Sequence, residues 1–429
     1  MTADERPESR RLRIEAAWIV NTYGAPSATP ERDLVRTTGP AVSRRRPRGI
    51  ELHPRDWEER GLADFVCCKS ELLVDDSDLD RVLLVLDNIG VAAQVADALR
   101  NGVSLVGFDG NIDDVLPELD ARLGVGVATP NHVFGIAPDT SICPATEPEA
   151  PDELAPWPAV GNPQAGNGVC VAVVDTGFLQ GWEDRADLSW LGGITEYDID
   201  QPDYREPFGF IDPYAGHGTF VAGVARCLAP AAEVTVDGIL QVAGVADEAS
   251  IVRQIDEALA KSPDVINLSA GGYTRNNLPP KAFVTLWQQR LRHHKGVALV
   301  AAAGNDGGRN PFWPAAFPWA VSVGALTADA RQRAEFSNYG GWVDVYAPGV
   351  DLVNAYCEGE YQYLLQPGLT RKFDGMCKWS GTSFSTPIVT GMIAARMSRT
   401  GENARQAADA LLETARGQFL PGVGPRLLP

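Results

Sequence analysis

The sequence holds only five histidines in 429 residues, and its basic residues are outnumbered. Lys and Arg number 37 against 56 Asp and Glu, for a net charge of −19. Without a basic balance a chain has no default attraction for nucleic acid or an anionic membrane surface, so neither is expected as a partner. A bilayer-spanning apolar run is also lacking. The most apolar stretch near the N-terminus, VLLVLDNIGVAAQVADAL at 82–99, carries Asp87 and Asp97, too polar for a span. A secretory leader needs a basic stub and then an apolar run, whereas MTADERPESRRLRIEAAW keeps its charges throughout. A cytoplasmic location is the expectation, with secretion as the alternative.

The seven cysteines, Cys67, Cys68, Cys143, Cys170, Cys227, Cys357 and Cys377, are odd in number and scattered, which does not describe a disulfide framework. Cys357 and Cys377 flank one insertion and could pair in an exported protein. No CxxC pair or Cys/His cluster offers a zinc site. The acidic stretch EYDIDQPDY at 196–204 lacks calcium-ligand spacing. No metal and no cofactor are expected. G-x-S-x-G and H-E-x-x-H are absent as well, which disfavours other hydrolase classes. No repeat of 20–50 residues is found.

What is present is an ordinary globular balance, 45% hydrophobic and 22% charged, in a chain long enough for one large domain and a smaller one. Residues 1–61 lack a clear period and contain the basic run SRRRPRG at 43–49; they are expected to form a partly disordered extension. Residues 62–137 have the makeup of a small α/β unit. ADFVCCKSELLV and VSLVGFDG are strand-like, DDSDLDRVLLVLDNIG suits a helix, and NIDDVLPELDARLG sets Ile112, Val115, Leu116, Leu119 and Leu123 on one helical stripe. VGVATPNHVFGI is extended again. Residues 138–165 hold seven prolines and are expected to be a semi-extended linker.

From 166 to 429 the pattern changes. VCVAVVD, EVTVDGI, DVINLS, VALVAAAG, AVSVGA and VDVYAP are near-continuous apolar runs, as strands buried on both faces of a parallel sheet require. ASIVRQIDEALAK at 249–261 keeps Ile251, Ile255 and Leu259 in helical step. Alternating strands and helices predict a doubly wound, mostly parallel α/β sheet.

In such sheets functional groups collect at the carboxyl ends of strands. The first strand of this region ends VAVVDTGF, which puts Asp175 there; YAGHGTFVAGVA then sets His217 between two glycines. WSGTSFSTPIVTGM at 379–392 crowds Ser380, Thr382, Ser383, Ser385 and Thr386 before an apolar run. Hydroxyls there are ordinary helix caps. A serine becomes a nucleophile only with a base in reach and an acid behind that base. Asp175, His217 and Ser383 stand in one of the known chain orders for such a triad, and the helix start favours a developing oxyanion at Ser383. VALVAAAGNDGG places Asn305 after a strand, where its amide could donate to that oxyanion.

These segments, with DVINLSAGG at 264–272 and FSNYGGWVDVYAPGV at 336–350, make residues 166–428 resemble a subtilisin-family serine peptidase (subtilase). The resemblance implies a subtilisin-like fold and roles for single residues. Asp175 would orient His217, His217 would serve as general base and then acid, Ser383 would be acylated, and Asn305 would supply an oxyanion donor. Leu268, Ser269, Ala270 and Gly271 would pair with a protein or peptide substrate bound as an extended strand. Ala301 to Gly304, with Ala303 and Gly304 nearest, would line the other side of the slot for the residue before the scissile bond. Their small size suggests room for a sizeable apolar side chain there. Gly244 to Asp247 would lie near a more distant subsite. The small front unit resembles a subtilase pro-domain, which implies an inhibitor and folding aid and a cut near 135–165. CEGEYQYLLQPGLTRKFDGMC at 357–377 departs from the family as an insertion, either a lid or a surface loop. The alternative function is a catalytically silent binding or scaffold protein of the same fold.

Overall fold

The computed structural model describes residues 33–34, 42–43, 49–53, 63–99, 102–136, 145–200, 209–240, 244–366 and 368–429. Most of the basic run at 43–49, Pro138, Pro144, Cys143 and residues 201–204 of the acidic stretch lie outside the described residues.

The apolar runs of the front region become an antiparallel sheet. Its strands are Ile50–His53 (β1), Phe65–Asp75 (β2), Ala93–Leu99 (β3), Val103–Phe108 (β4) and Ala128–Gly135 (β5). They lie in the order β3-β4-β2-β5, with β1 also paired to β2. Two helices, Leu79–Asn88 (α1) and Ile112–Leu123 (α2), cover one face. The stripe expected on α2 buries Ile112, Val115, Leu116 and Leu119 against Leu72, Val106 and Phe108, with Leu123 partly buried at its end. Asn111 caps that helix, its Oδ1 accepting the Asp113 N–H at 2.8 Å, a contact of the kind worth about 1 kcal/mol.

The second region is built on a seven-stranded sheet. Its strands in chain order are Cys170–Asp175 (β6), Ile194–Tyr197 (β7), Glu233–Gly238 (β9), Val265–Leu268 (β11), Ala298–Ala302 (β12), Ala320–Leu326 (β13) and Val345–Pro348 (β14). Phe210–Ile211 (β8) and Val245–Asp247 (β10) belong to other sheets. The spatial order is β14-β13-β12-β11-β6-β9-β7, and every pair is parallel. Successive side chains of a strand point to opposite faces, and β6 uses both. Val171 and Val173 enter one core, with helices His217–Leu228 (α3) and Thr382–Thr400 (α6); Ala172 and Val174 enter another, with Glu248–Ala260 (α4) and Lys281–Gln289 (α5). That is why the strand runs are continuously apolar rather than alternating. A last helix, Ala404–Arg416 (α7), closes on α6.

The two regions share a core. Leu73, Val103 and Leu105 from the uncovered face of the front sheet pack with Ile251, Phe283 and Leu286 of α4 and α5. β10 of the second region also extends the front sheet, pairing antiparallel with the end of β5.

The stretch expected as an insertion forms most of a hairpin, Leu352–Gln362 (β15) and Thr370–Trp379 (β16), with β8 parallel to its outer edge. Cys357 and Cys377 are buried free thiols in it. The described part of the Pro-rich stretch runs along this hairpin. Glu147 accepts hydrogen bonds from the Tyr361 hydroxyl at 3.0 Å and from the Leu364 and Leu365 N–H groups at 2.6 and 3.3 Å, and Trp157 bridges Val353.

Candidate active site

β6 ends on Asp175 at the carboxyl edge of the sheet, between β11 and β9. α3 opens on His217, after Gly216 in a left-handed conformation with φ 78°. The two meet: His217 Nδ1 donates to Asp175 Oδ1 at 2.6 Å, and both side chains are fully buried. That bond fixes the imidazole tautomer with its acceptor nitrogen on Nε2. The rings of Phe384 and Trp379 wall the imidazole at 5.3 and 5.8 Å.

Thr176, which follows Asp175 in VAVVDTGF, and Asp200, in the acidic stretch at 196–204, clamp this pair. Thr176 Oγ1 donates to Asp200 Oδ2 at 2.8 Å and accepts the Gly218 N–H at 3.0 Å. Asp200 Oδ2 also accepts the Gly216 N–H at 2.8 Å. The backbone is therefore held on both sides of His217. Burial pushes the Asp200 carboxyl up to about 7; the Gly216 and Thr176 hydrogen bonds oppose that, and the nearby Asp175 and Asp212 charges add to it.

Ser383 sits in the first turn of α6, whose leading N–H groups have no intrahelical acceptor. Its Oγ donates to the Ser269 carbonyl at 3.2 Å, and Ser269 Oγ returns a bond to the Ser383 carbonyl at 2.8 Å. His217 Nε2 has no hydrogen-bond partner among the described residues, so Ser383 and His217 are not bonded here. Catalytic hydrogen bonds are often long or unmade before substrate binds. Asn305 stands beside the serine. Its Oδ1 accepts both the N–H and the hydroxyl of Thr382 at 2.9 Å, which leaves Nδ2 as the donor end of that side chain. Thr382 Oγ1 also accepts the Gly304 N–H at 3.2 Å, so it ties the end of β12 to the start of α6. Its place immediately before Ser383 was the only signal for this role.

The other expected residues fall on either side of these groups. Leu268 lies in the main sheet, paired with Val174 and Ala301. Ser269 and Ala270 are buried just beyond it, and Gly271 exchanges two hydrogen bonds with Gly135, at 2.9 and 3.0 Å. Ala303 and Gly304 form the opposite wall, the former accepting from Asn338 Nδ2 at 2.9 Å. The Gly244–Asp247 segment holds β5 on its other edge; Gly244 accepts the Ile136 N–H at 2.9 Å. The cleft expected to receive a substrate strand thus contains residues 133–136 of the same chain. Among the described residues no group of three or more His, Cys, Asp or Glu side chains could hold a metal ion.

Known proteins resemble this chain in sequence and fold. The sequence model of the Subtilase family matches residues 166–424. A thermophilic serine proteinase from Bacillus sp. (strain AK1) is 31% identical over 320 residues, 71% of this chain and 71% of that one. Subtilisin E from Bacillus subtilis (strain 168) is 31% identical over 265 residues, 58% of this chain and 61% of its own. Thermitase from Thermoactinomyces vulgaris is 30% identical over 264 residues, 59% and 84% of the two chains. In fold, the crystal structure of fervidolysin from Fervidobacterium pennivorans, a keratinolytic enzyme related to subtilisin, covers 84% of this chain and 60% of that one, at a TM-score of 0.56 and 17% identity.

Proposed function

The chain belongs to the subtilase family, the subtilisin-like serine endopeptidases, and from that premise we propose that it cuts proteins through an acyl-enzyme on Ser383. The observation that carries this is the buried 2.6 Å bond from His217 to Asp175 beside a serine at a helix N-terminus. A rotation about χ1 brings Ser383 Oγ from the Ser269 carbonyl toward His217 Nε2. Oγ attacks the substrate carbonyl as Nε2 takes its proton, and Asp175 stays ionised to stabilise the imidazolium. Asn305 Nδ2 and the Ser383 N–H receive the oxyanion. The proton then passes to the leaving amine, and water repeats the sequence to release the acid.

The front unit restrains this chemistry in the same proposal. Its strand β5 lies where a substrate strand would add, between β10 and Gly271. Buried polar contacts hold it: His132 Nδ1 lies 3.0 Å from Glu248 Oε2, and Ala249 N–H donates to Asn131 Oδ1 at 3.3 Å. A cut beyond Ile136 and release of β5 would open the cleft. Hydrolysis of an unfolded protein such as casein by the purified chain tests the reading, with Ser383→Ala beside it. Turnover and shortening of the wild type only are expected; equal turnover by both would remove Ser383 from the reaction.

A further inference from the structure

A substrate carbonyl must reach Ser383 Oγ and Asn305 together, and its strand runs along Gly271 as Gly135 does. The side chain next to that carbonyl therefore points between the Ser269–Gly271 wall and the Ala303–Asn305 wall. The small residues on both walls suggest a roomy slot. The structure fills it with Phe312. A methyl added to Gly271 would run into the Phe312 ring, and one added to Gly304 would lie 3.0 Å from it. The ring thus lies against both walls, and Phe312 is only 1% exposed.

This ring is not the free end of a flexible side chain. Tyr273 packs edge-on against it at 5.4 Å. Tyr273 is itself fixed by donating to Asp306 at 2.9 Å and accepting from Asn338 Nδ2 at 3.1 Å. The backbone is equally held. Gly272 and Trp313 exchange two hydrogen bonds of 2.9 Å, and the Phe312 carbonyl accepts the Ala316 N–H at 2.8 Å. A bulky substrate side chain would have to displace a packed aromatic ring, and forcing extra atoms into a filled site is destabilising.

We infer that Phe312 closes the slot beside Ser383, so that the enzyme cleaves after residues with small side chains: glycine, alanine or serine. This rests on the assignment of Ser383 as nucleophile. A single methylene in a close-fitting pocket already changes kcat/KM by roughly 10–200-fold. A benzyl group against a filled slot should therefore be discriminated by on the order of a hundredfold or more.

The test uses two peptidyl phosphonate probes with the same peptide and either an alanine-like or a phenylalanine-like group next to phosphorus. They are applied to the purified full chain, together with a fluorophosphonate that carries no peptide. The wild type is expected to take the alanine probe at least about a hundred times faster than the phenylalanine probe. In Phe312→Ala the ratio should fall at least tenfold, because the vacated volume admits the ring. If Phe312→Ala does not fold, Phe312→Leu carries the test, with a smaller fall in the ratio expected. Equal labelling of the wild type by both peptidyl probes would overturn the inference while leaving the nucleophile in place. Absence of Ser383 labelling by all three, both on the full chain and after a proteolytic cut beyond Ile136 has released β5, would remove the nucleophile assignment and the inference with it.

Discussion

At the scale of the residue, the site is a set of short contacts between groups far apart in sequence. Asp175, His217, Asn305 and Ser383 were legible because each sits in a local pattern of glycines and small residues at a strand or helix end. The roles of Thr176, Asp200 and Phe312 were not. Asp200 meets Thr176 across 24 residues of chain, a pairing that the acidic stretch around it does not mark. Phe312 lies in a loop whose path had to be known before its ring could be placed against Gly271 and Gly304. Asp200 also gives a pH prediction. Its carboxyl is raised to about 7 when folded, chiefly by burial. Between its ordinary value and about 7 the native state therefore holds a proton that the unfolded state has lost. Through this group, stability should fall as pH rises across that window. An asparagine at this position has no such proton to lose, so Asp200→Asn should flatten that part of the profile. Urea unfolding of wild type and Asp200→Asn at several pH values from 4 to 8 measures it; identical slopes would contradict the buried-acid account.

At the scale of the element, apolar patterning identified most of what forms. The continuous runs became strands buried on two faces, and the α4 and α2 stripes face the cores expected of them. AQVADAL in β3 was hidden by its mixed polarity: most of its side chains are exposed, so no clean alternation marks it. The β15–β16 hairpin was hidden because it pairs with itself and with the 145–161 segment, partners that a local window does not contain. The restraint we propose would act through the β5 strand. Phe134 near its end is 1% exposed and packs against Phe283 at 5.8 Å. Removing such a ring costs about 3–5 kcal/mol, and here part of that loss falls on docking of the strand in the cleft. Phe134→Ala should therefore speed fluorophosphonate labelling at Ser383 by tenfold or more. An unchanged rate would mean that β5 does not control access.

At the scale of the whole molecule, the account describes one catalytic sheet and one small sheet joined through a shared core and a shared strand pairing. The change of sequence pattern near residue 166 falls where the family match begins. The docking of β5 followed from the resemblance to a pro-domain and not from the patterns of either unit, since it depends on how the two meet. The net charge of −19 adds a solution property rather than a fold one, and no described helix is long and apolar enough to cross a membrane. The central claim is that this assembly presents Ser383 as a nucleophile activated by His217. The most direct test is to treat wild type, His217→Ala and Ser383→Ala with a fluorophosphonate and map the adduct by peptide mass spectrometry. The account predicts an adduct on Ser383 of the wild type, a loss of at least a hundredfold in its rate of formation in His217→Ala, and none in Ser383→Ala. An adduct on another serine, or equal rates in wild type and His217→Ala, would contradict it.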